Sequence, residues 1–260
     1  MRVCVTGISV WGPGLEGWAR ARAVLRGEEP HEETERPLPV PPFLAPNERR
    51  RTSAVVRLAL EIAREACAQA QCDGATLSAV FSSSNGDGAV LDSILHALCT
   101  PGEDVSPTQF HNSVHNAPAG YWTIGQNSIQ PATAIGLYDG SFGGGLLKAT
   151  AEAVVEGKPV LLCVYDRPVP GPIGTVRHTQ HNFGVGLVLD PVSGKGTNLE
   201  FHFDPRPCAG DWPRDPALRR IAEHNPAARS LPLLTLLAQG VPGSVRVDCG
   251  AGHLVLSVQP

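Results

Sequence analysis

Few side chains in this sequence stand at spacings that carry chemistry. His111 and His115, within His111-Asn112-Ser113-Val114-His115-Asn116, are four residues apart, so a helix would put both rings on one face, as two metal ligands require. No acid lies between them to act as a base, and no third ligand follows at a recognisable spacing. Packing and hydrogen bonding are the favoured reading, and no metal is expected. Gly140-Ser141-Phe142-Gly143-Gly144-Gly145 falls where a strand turns into a helix, a place where backbone N–H groups can meet an anion. Its spacing matches neither the dinucleotide-binding fingerprint nor the phosphate loop, and residues 7–14 lack the dinucleotide turn as well. Close helix packing is therefore favoured over ligand cradling, and no cofactor is expected. Asp139 precedes the glycine run at a strand end, where function collects in parallel sheets; it can serve as a base or, more simply, as a helix cap. Ser82-Ser83-Ser84, running into Asn85-Gly86-Asp87-Gly88, either lines a site or forms a turn. His178 and His181 share a loop with Arg177, no serine stands in a Gly-x-Ser-x-Gly elbow, and neither Cys163 nor Cys249 has an identifiable base. The residues by themselves provide no nucleophile.

The elements that must position these groups follow from periodicity. Residues 2–10 are apolar and β-branched and end at Gly12-Pro13-Gly14, which reads as a buried first strand. A helix is expected over 15–26, then a Pro-rich acidic loop over 27–48 with scope for local disorder. Val55, Ala59, Ile62, Ala66 and Ala70, widened by Ala63 and Cys67, form one helical stripe. Thr52 or Ser53 can cap it, and Arg49-Arg50-Arg51 at its start have the wrong sign for the helix dipole. Strands are expected at 77–82, 132–137 and 160–165, separated by helices at 89–99, 106–114, 116–124 and 141–156. These short strands lack alternation, the mark of a mostly parallel sheet covered by helices on both faces. Beyond residue 165 come a loop to 180, strands at 184–190 and 197–203 read as an antiparallel hairpin, helices near 215–224 and 230–238, and a closing hairpin of 245–248 with 253–258. No repeat or linker divides the chain, so one domain over 1–260 is expected, with an α/β core at 1–165 and an abbreviated remainder at 166–260.

Composition removes several function classes. Lys and Arg total 21 against 25 Asp and Glu, a net charge of −4 that argues against nucleic-acid binding. Gly (28) and Pro (24) make a fifth of the 260 residues, which favours tight turns and close backbone crossings over an aromatic-rich sandwich. No apolar run reaches the roughly 18 residues of a membrane span, and the first strand leaves no room for a signal peptide. Seven cysteines, none in a Cys-x-x-Cys pair, are expected to be reduced thiols of a cytoplasmic protein.

Several segments, in order, resemble β-ketoacyl synthases of the thiolase-like fold. Arg2-Val3-Cys4-Val5-Thr6-Gly7-Ile8-Ser9-Val10-Trp11-Gly12-Pro13-Gly14 resembles their first strand and turn. Phe110-His111-Asn112-Ser113-Val114-His115-Asn116-Ala117-Pro118-Ala119-Gly120-Tyr121-Trp122 resembles the helix pair before their nucleophile. The stretch 132–162 resembles the nucleophile strand, buried helix and next strand, and Asn182-Phe183-Gly184-Val185-Gly186-Leu187-Val188-Leu189 resembles their late Phe-Gly-Phe-Gly turn. The best match is the small ketosynthase-like, N-terminal family, whose members are similar to chain-length factors of aryl polyene and xanthomonadin type II polyketide pathways. The resemblance covers residues 1–190 well and the tail poorly.

The departures shape what the resemblance implies. A condensing enzyme needs a cysteine at the start of its buried helix, where dipole and amides lower the thiol pKa and hold the oxyanion. Counting back from Gly157 puts that position at Asp139 or Gly140, and no cysteine is near. The histidines of the family's second half are missing too. The resemblance thus implies a truncated subunit that is not catalytic on its own. It would pair with a full-length ketosynthase, contact acyl carrier protein indirectly and help enclose the acyl tunnel. Phe110, Tyr121, Trp122, Tyr138 and Phe142 are the expected tunnel or interface residues. The alternatives are a decarboxylase or hydrolase acting through Asp139 on carrier-bound chains, and a simple acyl-binding module.

Overall fold

The computed structural model describes residues 1–192 and 194–259. The chain runs β1 (Arg2–Trp11), α1 (Trp18–Leu25), α2 (Pro46–Arg51), α3 (Ala54–Ala70), β2 (Ser78–Ser82), α4 (Gly88–Cys99), α5 (Pro107–Asn112), α6 (Ala117–Gln126), β3 (Ala132–Ile135), α7 (Ser141–Glu156) and β4 (Val160–Asp166). It continues through α8 (Gly171–Val176), β5 (Phe183–Asp190), β6 (Thr197–Asp204), α9 (Pro216–His224), α10 (Leu231–Gln239), β7 (Gly243–Asp248) and β8 (His253–Gln259). Ser53, Asp87 and Asp215 cap α3, α4 and α9 with side-chain oxygens, each satisfying N–H groups that a helix start leaves open.

Among the described residues, eight strands join one sheet in the order β3-β2-β4-β5-β1-β6-β8-β7. The three apolar runs expected to be parallel are so: β2 pairs in parallel with β3 on one side and β4 on the other. Parallel pairing stops there. It needs crossover connections over the sheet face, and only α4–α6 and α7 provide them. The other neighbours are antiparallel, so the parallel part is smaller than the strand sequences suggest. The closing hairpin of β7 and β8 forms as expected, with Asp248 opposite His253. The other expected hairpin does not: β1 lies between β5 and β6 and pairs with both. A connection from Asp190 to Thr197 can step over one strand, since two strand spacings are only about 10 Å.

Helices cover both faces. On one, α3 and α6 bury Val55, Leu58, Ile62 and Trp122 against Phe81, Leu161 and Tyr165. On the other, α1, α7 and α10 pack with Leu146, Leu162, Val185 and Leu254. Two short helices escape the sequence reading, α2 and α8. The first explains the arginine triplet. Arg49, Arg50 and Arg51 form the last turn of α2, where cations suit the dipole, and extended Thr52 separates them from α3. The Pro-rich segment before α2 is tied down by Gly14 N–H donating to Thr34 O (2.8 Å) and by His31 bonding to Pro13 O (2.8 Å). Among the described residues no helix is long and apolar enough to cross a membrane.

Candidate functional site

Because β2, β3 and β4 are parallel, their C-terminal ends open on one edge of the sheet, the place where open α/β sheets build sites. The serine-rich segment after β2 is organised by Asp166, the last residue of β4. Its Oδ1 accepts from Ser83 Oγ (2.9 Å) and from the N–H groups of Ser84 (2.9 Å) and Asn85 (3.1 Å). Asp166 is fully buried, and burial pushes its carboxyl up to about 7, against the pull of those hydrogen bonds and of Arg177. Asn225 ties the next layer on, donating to the carbonyls of Asp166 and His181 at 3.1 Å each.

Arg177, from the segment after α8, spans two of the strand ends. Its guanidinium donates to Ser84 Oγ (2.6 Å), Asn85 Oδ1 (3.0 Å) and Asp139 Oδ1 (2.9 Å), and lies 3.6 Å from the centre of the Tyr138 ring. Arg229 reaches the other Asp139 oxygen at 3.4 Å while stacking on Trp212. Both oxygens of Asp139 are thus held by guanidinium groups, and three loops are locked together.

The elbow between β3 and α7 is tight. Tyr138 has φ of +51°, a left-handed backbone unusual for an aromatic residue. Ser141 Oγ accepts from Leu137 N–H (2.9 Å) and donates to Tyr138 O (2.7 Å). The amides of Gly140 and Ser141 are spent on the carbonyls of Leu137 and Tyr138, so neither points at an open oxyanion position. A Cβ on Gly140 would lie 2.7 Å from Gly250 N and 2.9 Å from the Cys249 carbonyl carbon. The β7–β8 turn therefore fills the space a side chain there would need. The glycine run serves packing for the same reason. A Cβ on Gly143 would meet Asp248 O at 2.1 Å, and one on Gly144 the Leu137 side chain at 2.0 Å. Cys249 packs beside Gly143, but burial, with Asp248 adding to it, pushes its thiol up and leaves it a poor nucleophile.

The sequence-derived candidates separate by burial. Phe110 and Tyr138 are exposed, at 66% and 63%. Tyr121, Trp122 and Phe142 are at most 2% exposed and belong to the two cores. Trp122 packs edge-on to Phe43, and Tyr121 edge-on to His111. Of the two spaced histidines, His115 bonds through Nε2 to Ile135 O (3.0 Å), while His111 packs against Tyr121. His181 lies 3.3 Å from both Glu33 and Glu35, away from Asp139. The residues sequence reasoning missed are Asp166, Arg229, Asn225 and Trp212. Asp166 left a signal, an acid closing the apolar run of β4; the others lie on distant segments.

The chain matches the family model "Beta-ketoacyl synthase, N-terminal domain" over residues 18–237. It superposes on a chain from the structure of the ketosynthase ApeO in complex with its chain length factor ApeC from Xenorhabdus doucetiae. Identity there is 22%, the TM-score is 0.74 and 99% of each chain is covered. A chain of the AntDE:AntF complex, a type II polyketide synthase carrier protein with its ketosynthase, matches with a TM-score of 0.70 at 11% identity, again over 99% of each chain. The ketosynthase of module 1 of the bacillaene synthase from Bacillus amyloliquefaciens FZB42 matches with a TM-score of 0.56 at 13% identity, over 78% of this chain and 46% of that one. At these identities the likeness shows a shared thiolase-like fold. No curated protein sequence matches the chain.

Proposed function

Since the chain belongs to the β-ketoacyl synthase N-terminal domain family, we propose that it is a chain-length-factor-like subunit, not catalytic by itself, that pairs with an active ketosynthase. In this reading the whole chain acts as one ketosynthase-like domain in the cytoplasm and helps enclose the acyl tunnel during polyene or fatty-acid-like chain elongation. Acyl carrier protein is met through the ketosynthase.

One observation carries the reading. The count back from Gly157 puts the family's nucleophile position at Asp139 or Gly140; the Cys249–Gly250 backbone leaves no room for a side chain at Gly140, and Asp139 is already held by two arginines. A thiol cannot be presented there, and a paired carboxylate is a poor base for a decarboxylase or hydrolase. Two further observations support it. Chains of equal length and shape occur in ketosynthase complexes with partner proteins. β3 is an end strand of the sheet and packs against α6; Ile124 on α6 and Leu137 and Tyr138 just after β3 are exposed, as are Phe110 and Val114 ahead of α6, apolar surface that a partner would remove from water. Phe110 and Tyr138 are the interface residues this reading names.

Co-expression with a full-length ketosynthase, followed by sizing and acyl loading from a carrier protein, tests the proposal. The expected result is a stable complex in which only the ketosynthase becomes acylated. A covalent acyl group on the isolated chain, with turnover in the absence of a second protein, would overturn it.

The acyl-binding alternative has one observation in its favour. A cleft of about 1030 Å³ between α1, α10 and residues 211–215 has Val24, Leu25, Leu218, Leu236 and Val245 in its wall. Saturable binding of a long-chain acyl group by the isolated chain, lost in Leu236→Asp, would favour that reading.

A further inference from the structure

Helix α3 ends in a left-handed cap. Gln71 has φ of +54°; its N–H donates to Ala68 O at 3.2 Å, and the N–H of Cys72 donates to Cys67 O at 3.1 Å. This is the paired-bond arrangement that closes many helices, and it brings the side chain one residue past the cap against the one in the last turn. In most proteins that contact is between two apolar side chains. Here it is between two thiols, Cys67 and Cys72.

The pairing is intimate. Cys72 Sγ donates to Cys67 O at 3.6 Å, which places the second thiol directly over the turn that carries the first. The two differ in access: Cys67 is buried at 5% exposure, while Cys72 is half-buried and reaches solvent. They differ in acidity as well. The neighbouring Cys67 thiol holds the Cys72 thiol below its ordinary value, and the Cys72 thiol, with burial, pushes Cys67 up. The accessible sulfur is thus the one readier to lose its proton, with a second sulfur behind it.

We infer that Cys67 and Cys72 form a dithiol that is oxidised to an intramolecular disulfide by hydroperoxides. The Cys72 thiolate attacks one peroxide oxygen and breaks the O–O bond, giving a sulfenic acid at Cys72 and releasing water after proton transfer. The Cys67 sulfur then attacks the Cys72 sulfur, the S–O bond breaks and a second water leaves. In sum, two thiols and hydrogen peroxide yield one disulfide and two waters; each sulfur gives up one electron and the peroxide takes both. The cap already holds the two residues side by side, so the bond closes a very short loop with little movement of α3. Cys99, by contrast, is an exposed thiol. The inference does not depend on the proposed pairing with a ketosynthase.

The test uses the full-length native protein treated with hydrogen peroxide, quenched, denatured and alkylated. Alkylatable thiols are expected to fall from seven to five, with no dimer formed. Cleavage after Glu65 and before Asp73 releases peptide 66–72, which should be two hydrogens lighter, unalkylated, and restored by dithiothreitol. Cys67→Ser should leave Cys72 to accumulate sulfinic acid instead, a readout that a merely structural role for Cys67 would not produce. A Cys99→Ser and Cys208→Ser background removes the other thiols that are not buried and should leave the mass change intact. If peptide 66–72 carries two alkyl groups after peroxide, or if Cys72 reaches sulfinic acid while Cys67 stays free in the unmutated chain, the inference fails.

Discussion

Asp166→Asn isolates the energetic cost of the buried carboxylate beneath the serine segment. The side chain is fully buried, and its carboxyl stands at about 7 against an ordinary 3.8. A folded-state value raised in this way means that between about pH 4 and pH 7 the native protein holds a proton the unfolded chain has lost. Stability from this group is complete below pH 4, falls as pH rises and levels off above 7. The difference of about three pKa units corresponds to about 4 kcal/mol. Asparagine keeps an oxygen for Ser83, Ser84 and Asn85 and carries no charge to desolvate. Urea unfolding of both proteins at pH 4.5, 6 and 8 reads the effect as a difference, so that other titrating groups cancel. The Asp166→Asn protein should gain on the unmutated one as pH rises, by about 3 kcal/mol between pH 4.5 and pH 8. Parallel stability curves would mean that Asp166 is ionised in the fold at an ordinary pKa, with Arg177 outweighing burial, and would refute the reasoning.

The remaining predictions concern the elbow and the surface. Gly140→Cys should lower the melting temperature and still give no acyl adduct by mass spectrometry, because its Cβ would enter the Cys249–Gly250 backbone. Asp139→Ala leaves Arg177 and Arg229 without their carboxylate and should cost about 1–3 kcal/mol in urea unfolding, while product formation by the ketosynthase complex persists below the melting point. Gly143→Ala should destabilise by about 1–3 kcal/mol, since the added methyl meets Asp248 O at 2.1 Å. Phe110→Asp should leave the isolated chain as stable as before, the residue being 66% exposed, yet weaken ketosynthase binding by about 2 kcal/mol or more in titration calorimetry.

Local signals made much of this protein legible. Stripes of Val55, Ala59 and Ile62 gave α3, unbroken apolar runs gave β2 and β4, and the count from Gly157 back along α7 led to Asp139 and Gly140. Those features depend on residues within a few turns of each other, and periodicity reports them directly. The absence of a thiol at the elbow is equally a property of the sequence. What it could not show was the arrangement between distant segments. The insertion of β1 between β5 and β6 depends on pairing preferences across nearly the whole chain. The hold of Arg177 and Arg229 on Asp139 spans 38 and 90 residues. The closure of Gly140 by Gly250 depends on where the last hairpin settles against α7. Burial decided the aromatic residues in the same way: Tyr121, Trp122 and Phe142 look like Phe110 and Tyr138 as letters, and only packing sorts them into core and surface. Sequence determines which groups exist and which helix or strand carries them; which of them meet, and which are cut off from water, is set by long-range contacts that no local pattern encodes.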